Sequence, residues 1–317
     1  MESKIKSKHK TVLLNETIDG LNLPALPSLG GKSNAVIVDG TFGGGGHSLE
    51  ICKRYQGVKI IALDQDKGAW KYAEDKFKDL GCEISFHNTN FRNIDEVLQK
   101  EKIEKVNGVI FDLGLSSDQL ENSGRGFSFM KDEPLLMTYK SMKENLSPDD
   151  ITASEIVNTW EEKSLADIIY GYGEEQFARR IAHGIVLARA NSEIKTTFDL
   201  VKIIEESVPA VYKRGRLHFA TRTFQALRIA VNDELGALSE GLAKGFETLK
   251  SGGRMAVISF HSLEDRIVKR FYKEKERDGK VKLINKKPII PGKEEIIKNN
   301  RSRSAKLRVM EKISEKI

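Results

Sequence analysis

Two cysteines and seven prolines in 317 residues are few, and no apolar run is long enough to cross a bilayer. Cys52 and Cys82 have neither metal-ligand nor redox spacing, so no metal is expected, and two reduced thiols of a cytoplasmic protein are. The scarcity of proline, with 39% hydrophobic residues, excludes a disordered chain, and the 31% charged fraction implies a well-solvated surface. Residues 1–10 are basic, but only the short Val12-Leu13-Leu14 follows them, which excludes a signal peptide as the expectation. A net charge of +6 is compatible with a polyanionic partner without demanding one. The length allows one large domain or two modest ones.

The first third of the chain alternates strand and helix signals, the pattern of a parallel sheet flanked by helices. Strands are expected at 36–39, 59–64, 83–87 and 106–111, with helices at 47–55, 69–80 and 94–101. Residues 123–134 read as a loop, and 147–211 as amphipathic helices, one opening at Pro148, another at 154–158 and the longest at 174–190. One long helix is then expected over 221–249, a strand at 254–260 and a helix at 263–275. Two β-like runs, 281–285 and 306–310, close the sheet as a hairpin, with 286–303 a mobile basic loop between them.

The most informative stretch is Val38-Asp39-Gly40-Thr41-Phe42-Gly43-Gly44-Gly45-Gly46-His47-Ser48. A strand ends at an acid, and four consecutive glycines open a helix. Glycine lets the backbone turn sharply and approach a ligand, and the free amides of the next helix hold polar groups. Such a turn suits a dinucleotide or S-adenosylmethionine. Asp39 separates the two, because a carboxylate there repels a pyrophosphate and attracts a sulfonium and an amino group.

Other candidates follow the strands, where open parallel sheets bind ligands. Asp64, about 20 residues beyond the turn, accepts ribose hydroxyls or is a plain helix N-cap. Phe91 flanks an adenine or belongs to the core. His47 contacts the ligand or caps its helix. Asp112 sits where donor and acceptor would meet, and Gln119 is placed for the donor's amino-acid end. His261 and Glu264 either join the site or cap the next helix.

Six motifs together resemble one family. They are 39–48, Asp112-Leu113-Gly114-Leu115-Ser116-Ser117-Asp118-Gln119, Arg125-Gly126-Phe127-Ser128-Phe129, Tyr172-Gly173-Glu174-Glu175, 220–229 and 258–266. The family is the bacterial small-subunit (16S) ribosomal RNA cytosine-N4 methyltransferases, and the similarity spans about residues 9–312. The resemblance implies a class I S-adenosylmethionine-dependent methyltransferase fold, α/β and Rossmann-like with a mostly parallel sheet and an inserted all-helical domain. It implies a discontinuous methyltransferase domain at 1–131 and 216–317, a helical substrate-recognition domain at 132–215, and 16S rRNA within the small subunit as partner. It also implies a homodimer, with no role at a membrane. Carried over by position, the donor site is Gly45, Gly46, His47, Asp64, Phe91, Asp112 and Gln119. The chain departs from the family where an acid and a base are replaced by Leu136 and Thr138, so the loop they order must be held differently. Asn300 stands where the family has proline, which loosens a loop.

Cytosine's exocyclic amine is a weak nucleophile that must be placed in line with the donor methyl and relieved of a proton. Asp112 is the candidate that orients it. Methylation at ring carbon 5 would need a cysteine nucleophile, for which neither Cys52 nor Cys82 is placed. The base must be extruded or single-stranded, and Phe127 and Phe129 are candidates to stack on it, or are core. Arg216, Arg222 and Arg228 head the basic candidates for phosphate, beside Lys213-Arg214, Lys269-Arg270 and Arg301-x-Arg303. The rival readings are a methyltransferase of another nucleic acid or a protein, and a non-catalytic ribosome-assembly factor.

Overall fold

The structure is a computed structural model that describes residues 10–23, 34–70, 73–78, 80–140 and 150–314. Its elements run α1 (Leu14–Leu21), β1 (Val36–Asp39), α2 (Gly46–Arg54), β2 (Lys59–Asp64), α3 (Ala73–Phe77), β3 (Glu83–Asn88), α4 (Ile94–Lys100) and β4 (Val106–Asp112). Then come α5 (Ser117–Asn122), α6 (Ala153–Thr159), α7 (Glu162–Gly173), α8 (Ala178–Asn191), α9 (Thr197–Ser207), α10 (Ala210–Lys213) and α11 (Thr221–Asn232). The chain continues through α12 (Glu234–Thr248), β5 (Leu249–Ser259), α13 (Ser262–Arg277), β6 (Val281–Leu283), α14 (Lys293–Lys298) and β7 (Lys306–Lys312). The chain divides into two compact units, Met1–Gly114 with Leu235–Ile317, and Leu115–Glu234. The boundaries implied at 131/132 and 215/216 both lie inside the second unit, because 123–140 and 216–234 pack with its helices: Phe127, Leu135, Phe224 and Leu227 share one buried cluster with Ile156 and Ile181.

The first unit is a seven-stranded sheet in the order β3-β2-β1-β4-β5-β7-β6. Only β7 is reversed, pairing antiparallel with both β5 and β6. That order with one reversed strand is the class I S-adenosylmethionine-dependent methyltransferase fold. Alternation explains its packing. Ile37, Ile60, Ala62, Ile110 and Ile258 enter one cluster, while their neighbours Val38, Ile61, Leu63, Val109 and Val257 enter another. Successive side chains point to opposite faces, so strands covered on both read as continuous apolar runs. Strand order reverses between β1 and β4, which makes the carboxyl ends of those strands the natural ligand position.

Several expectations are corrected. The helix expected at 69–80 is a 3-10 turn, Lys67–Trp70, and the short α3. The helix over 221–249 breaks at Asp233, which adopts φ 46° and returns its N–H to the Ile229 carbonyl, and residue 249 already belongs to β5. The helix expected from Pro148 falls partly outside the described residues, and 174–190 becomes α8 after a left-handed Glu174. The loop at 286–303 is ordered: Ile289 bonds to Leu307 in both directions, and Glu295 accepts the Leu13 N–H at 2.8 Å. Asn300 opens a 3-10 turn there. Cys52 and Cys82 are not free thiols. The packing of α2 beside the start of β3 brings their Cα atoms to 5.4 Å, and they form a disulfide.

Candidate functional site

The glycine turn connects β1 to α2 and is built by backbone bonds to both neighbouring strands. Gly40 N–H donates to the Ile110 carbonyl, and Phe42 N–H to the Leu63 carbonyl. Gly43 and Gly45 take φ values of 51° and 70°, where a Cβ is disfavoured. A side chain at Gly46, the first residue of α2, would strike Thr11. The turn therefore exposes backbone amides at the start of a helix, a place where polar and anionic groups bind.

Three carboxylates surround the turn. In the strand registers Asp39 pairs with Ala62 and with Ile110, so Asp64 and Asp112 each stand two residues further along the flanking strands. Asp39 is buried and accepts the Ser48 hydroxyl at 2.6 Å and the Thr41 N–H at 3.4 Å. Asp64 accepts the amides of Gly43 at 2.7 Å and Asp66 at 2.8 Å, so it pins the turn while also starting the next segment. The Asp112 N–H donates to Thr41 Oγ1 at 2.6 Å, and its Oδ2 lies 3.8 Å from Nδ1 of the buried His47. Asp112 Oδ1 is buried and has no hydrogen-bond partner among the described residues.

Burial pushes the Asp39 and Asp64 carboxyls up to about 6. Asp112 is raised well above the ordinary range, by burial first and then by the Asp39 and Glu264 charges. Such a cluster suits a ligand carrying positive charge and hydroxyl donors. It also costs stability. A carboxyl at 3.8 in the unfolded chain and about 6 when folded binds more protons folded, so stability falls as pH rises between those values. Above pH 6 the loss is on the order of 3 kcal/mol for Asp39. Asp39→Asn is therefore expected to raise the melting temperature of the ligand-free protein by several degrees at pH 8, with a smaller gain at pH 5. Calorimetry at the two pH values checks this, and an equal gain at both would show that ionisation is not the cause.

The remaining expected residues are placed as follows. Gly45, Gly46, His47, Asp64, Phe91 and Asp112 all lie in the sheet unit. Phe91 is half-buried, tilts against Phe111 at 4.8 Å, and fills the space that the missing side chain of Gly241 leaves. Gln119 lies in the helical unit. Its Oε1 accepts the Ser116 N–H at 2.9 Å, and its own N–H bonds back to Ser116, a capping box at the start of α5. His261 and Glu264 likewise form a capping box on α13, and Glu264 accepts the Phe260 N–H at 2.8 Å.

Among the RNA candidates the structure is selective. Phe127 is core, buried and stacked on Tyr139 at 5.7 Å, so it has no open face for a base. Phe129 lies parallel to His218 at 4.5 Å and edge-on to Phe224. Arg228 forms a two-pronged ion pair with Glu234 at 2.8 and 3.0 Å, so its guanidinium is structural rather than a phosphate contact. Arg222 donates to the Glu174 carbonyl at 3.0 Å, closing the end of α7. Arg216 is exposed.

The loop that carries Leu136 and Thr138 is held by Arg125. That buried guanidinium donates to the carbonyls of Thr138, Tyr139 and Lys140 at 3.3, 2.8 and 3.4 Å. Asn232 adds a bond to the Met137 carbonyl at 2.7 Å and receives the Tyr139 N–H at 2.9 Å. Backbone carbonyls thus do what a side-chain acid–base pair would do. Sequence reasoning missed Arg125, Asn232 and Thr41 in these roles. Asn232 bonds to groups far away in the chain, and no spacing signals it.

A family model described as the MraW methylase family matches residues 6–313. A ribosomal RNA small subunit methyltransferase H from Clostridium botulinum (strain Kyoto / Type A2) is 47% identical over 96% of this chain and 99% of that protein. The protein of that name from Carboxydothermus hydrogenoformans is 44% identical over 96% of this chain and 98% of its own length. An rRNA methylase structure from Streptococcus thermophilus aligns with 12% identity and a TM-score of 0.44, covering 96% of this chain and 98% of that chain. A match this long, on a chain whose strand ends set three carboxylates around a glycine turn, leaves one assignment: the chain belongs to the MraW methylase family, and is an S-adenosylmethionine-dependent methyltransferase.

Proposed function

We propose that the chain methylates the exocyclic N4 amine of a cytosine in the decoding centre of 16S rRNA, within the small subunit, by direct transfer and in the cytoplasm. The observation that carries the donor half is the set of Asp39, Asp64 and Asp112 around the glycine turn. Relatives at 44–47% identity named for small-subunit ribosomal RNA support the acceptor half.

Bound S-adenosylmethionine supplies an electrophilic methyl group on a cationic sulfur. Amides of the turn and Asp64 hold the nucleoside, with the hydroxyls donating to the Asp64 carboxylate. Gly45, Gly46, His47 and Phe91 complete the proposed donor contacts of the sheet unit. Asp112 accepts a hydrogen bond from the amine through Oδ1, which aims the nitrogen lone pair. As the N–C bond forms and the S–C bond breaks, Asp112, made more basic by burial, takes the released proton. Cys52 is buried in α2 and Cys82 stands just before β3, away from the carboxyl ends of the strands, so neither is placed to attack the ring.

The test is incubation of labelled donor with unmodified small subunits, free ribosomal RNA and DNA. Label recovered as N4-methylcytidine at one 16S position is expected. Label in 5-methylcytidine, in DNA or in protein overturns the reading.

A further inference from the structure

One buried acid in the helical unit is not used by the donor site. Glu175 is fully buried, and its two oxygens divide their work: Oε1 accepts the Phe177 N–H at 2.9 Å, and Oε2 accepts the Tyr212 hydroxyl. Tyr212 sits on α10, which spans four residues, buries none of them and has no side-chain N-cap. A helix this short has little stability of its own. The Tyr212 ring meets Phe177 edge-on at 4.9 Å and packs on the buried cluster of the helical unit, and its phenol, on the Glu175 carboxylate and beside Arg222, fastens the element. Burial and the Glu175 bond push the phenol up to about 12, so it stays a donor at any physiological pH.

What is fastened is basic and open. Lys213, Arg214 and Arg216 follow Tyr212 within four positions, with no acid among residues 209–218. Arg214 and Arg216 are exposed, and Lys213 is shared with Glu205 at 3.4 Å. Val211 and Leu217, flanking them, are 82% and 56% exposed. A rigidly seated turn with cations between bare apolar side chains matches a nucleic-acid backbone, where phosphates take the charge and sugars the apolar surface.

We propose that the 213–216 turn, seated by Tyr212 on Glu175, is a phosphate contact for the acceptor RNA, and that Glu175 and Tyr212 are its positioning residues. This rests on the RNA reading above and adds where the helical unit grips. Each phosphate neutralised contributes to the salt dependence, so the turn accounts for a definable part of the slope.

The experiment uses the full chain, with small subunits as acceptor and labelled donor, and measures RNA affinity across salt concentrations for each variant. Arg214→Gln with Arg216→Gln is expected to raise the KM for the acceptor about tenfold and to flatten the log affinity–log salt slope by about 1 to 2. The donor dissociation constant should stay within twofold by calorimetry. Tyr212→Phe should weaken RNA binding in the same direction. Glu175→Gln, which still offers an acceptor oxygen, should keep more affinity than Glu175→Ala at matched melting temperature. If the wild type methylates 16S rRNA while the double variant keeps the wild-type slope, the turn is not a contact and the proposal falls alone. If the wild type methylates no RNA, the functional reading falls and this proposal with it.

Discussion

Asp112→Ala is expected to abolish methyl transfer, with the turnover rate at saturating substrates falling by about a thousandfold or more. The carboxylate stands at the end of β4 with one buried oxygen lacking a hydrogen-bond partner among the described residues. Its charged form is disfavoured by burial and by neighbouring acids, and the His47 ring at 3.8 Å offsets this only in part, so folding gains little from its presence. Removing it should leave the melting temperature unchanged or higher, while the proposed proton acceptor is lost. Asp112→Asn keeps an acceptor oxygen but cannot take a proton, and is expected to fall between alanine and wild type. Single-turnover kinetics with preloaded donor separate the chemical step from binding. Near-normal turnover by the alanine variant would remove Asp112 from the mechanism.

Arg125→Ala is expected to destabilise the helical unit by about 3 kcal/mol or more. The guanidinium is buried and donates to three successive carbonyls, while Glu133 accepts the Gly126 N–H at 3.0 Å beside it. Its truncation leaves the buried Thr138 carbonyl and the partly buried bonds to Tyr139 and Lys140 without their donor, and an orphaned buried group costs about 1–3 kcal/mol. The residue also stacks over the Phe127 ring at 5.3 Å, so packing is lost with the hydrogen bonds. Arg125→Lys offers a point charge in place of a planar fork and should recover only part of the loss. Urea denaturation reports the difference. An unchanged midpoint would show that the Arg125 guanidinium contributes nothing measurable to holding 136–140, which Asn232, Glu234 and Ala153 also contact.

The parts of the molecule that were legible in the sequence are those set by local pattern. β1, β2 and β4 are covered on both faces, so each reads as an apolar run ending in an acid, and those acids became the three carboxylates of the site. The break at Asp233 left no trace, because the left-handed residue is not a glycine. Ser116-x-x-Gln119 carried a capping signal, and a Gln in that position satisfies a backbone amide whether or not it meets a ligand. Charge alone could not distinguish Arg216, open to solvent, from Arg228, claimed by Glu234 six residues on. Nor could residue type distinguish the half-buried Phe129, stacked on His218, from Phe127 in the core. The cysteine pairing was hidden because it depends on where α2 lands, which no motif encodes.

That pairing has a further consequence. The covalent tether between Cys52 and Cys82 closes a segment of chain 30 residues apart in sequence, and within it lie β2 and the acid that pins the glycine turn. Tying the ends of such a segment removes unfolded conformations worth about 3 to 4 kcal/mol in a chain-entropy account. The part of the sheet that carries Asp64 is thus the one whose resistance to local opening is coupled to thiol redox state. Amide hydrogen exchange across β2 should quicken when a dithiol reductant cuts the tether, while the helical unit keeps its protection.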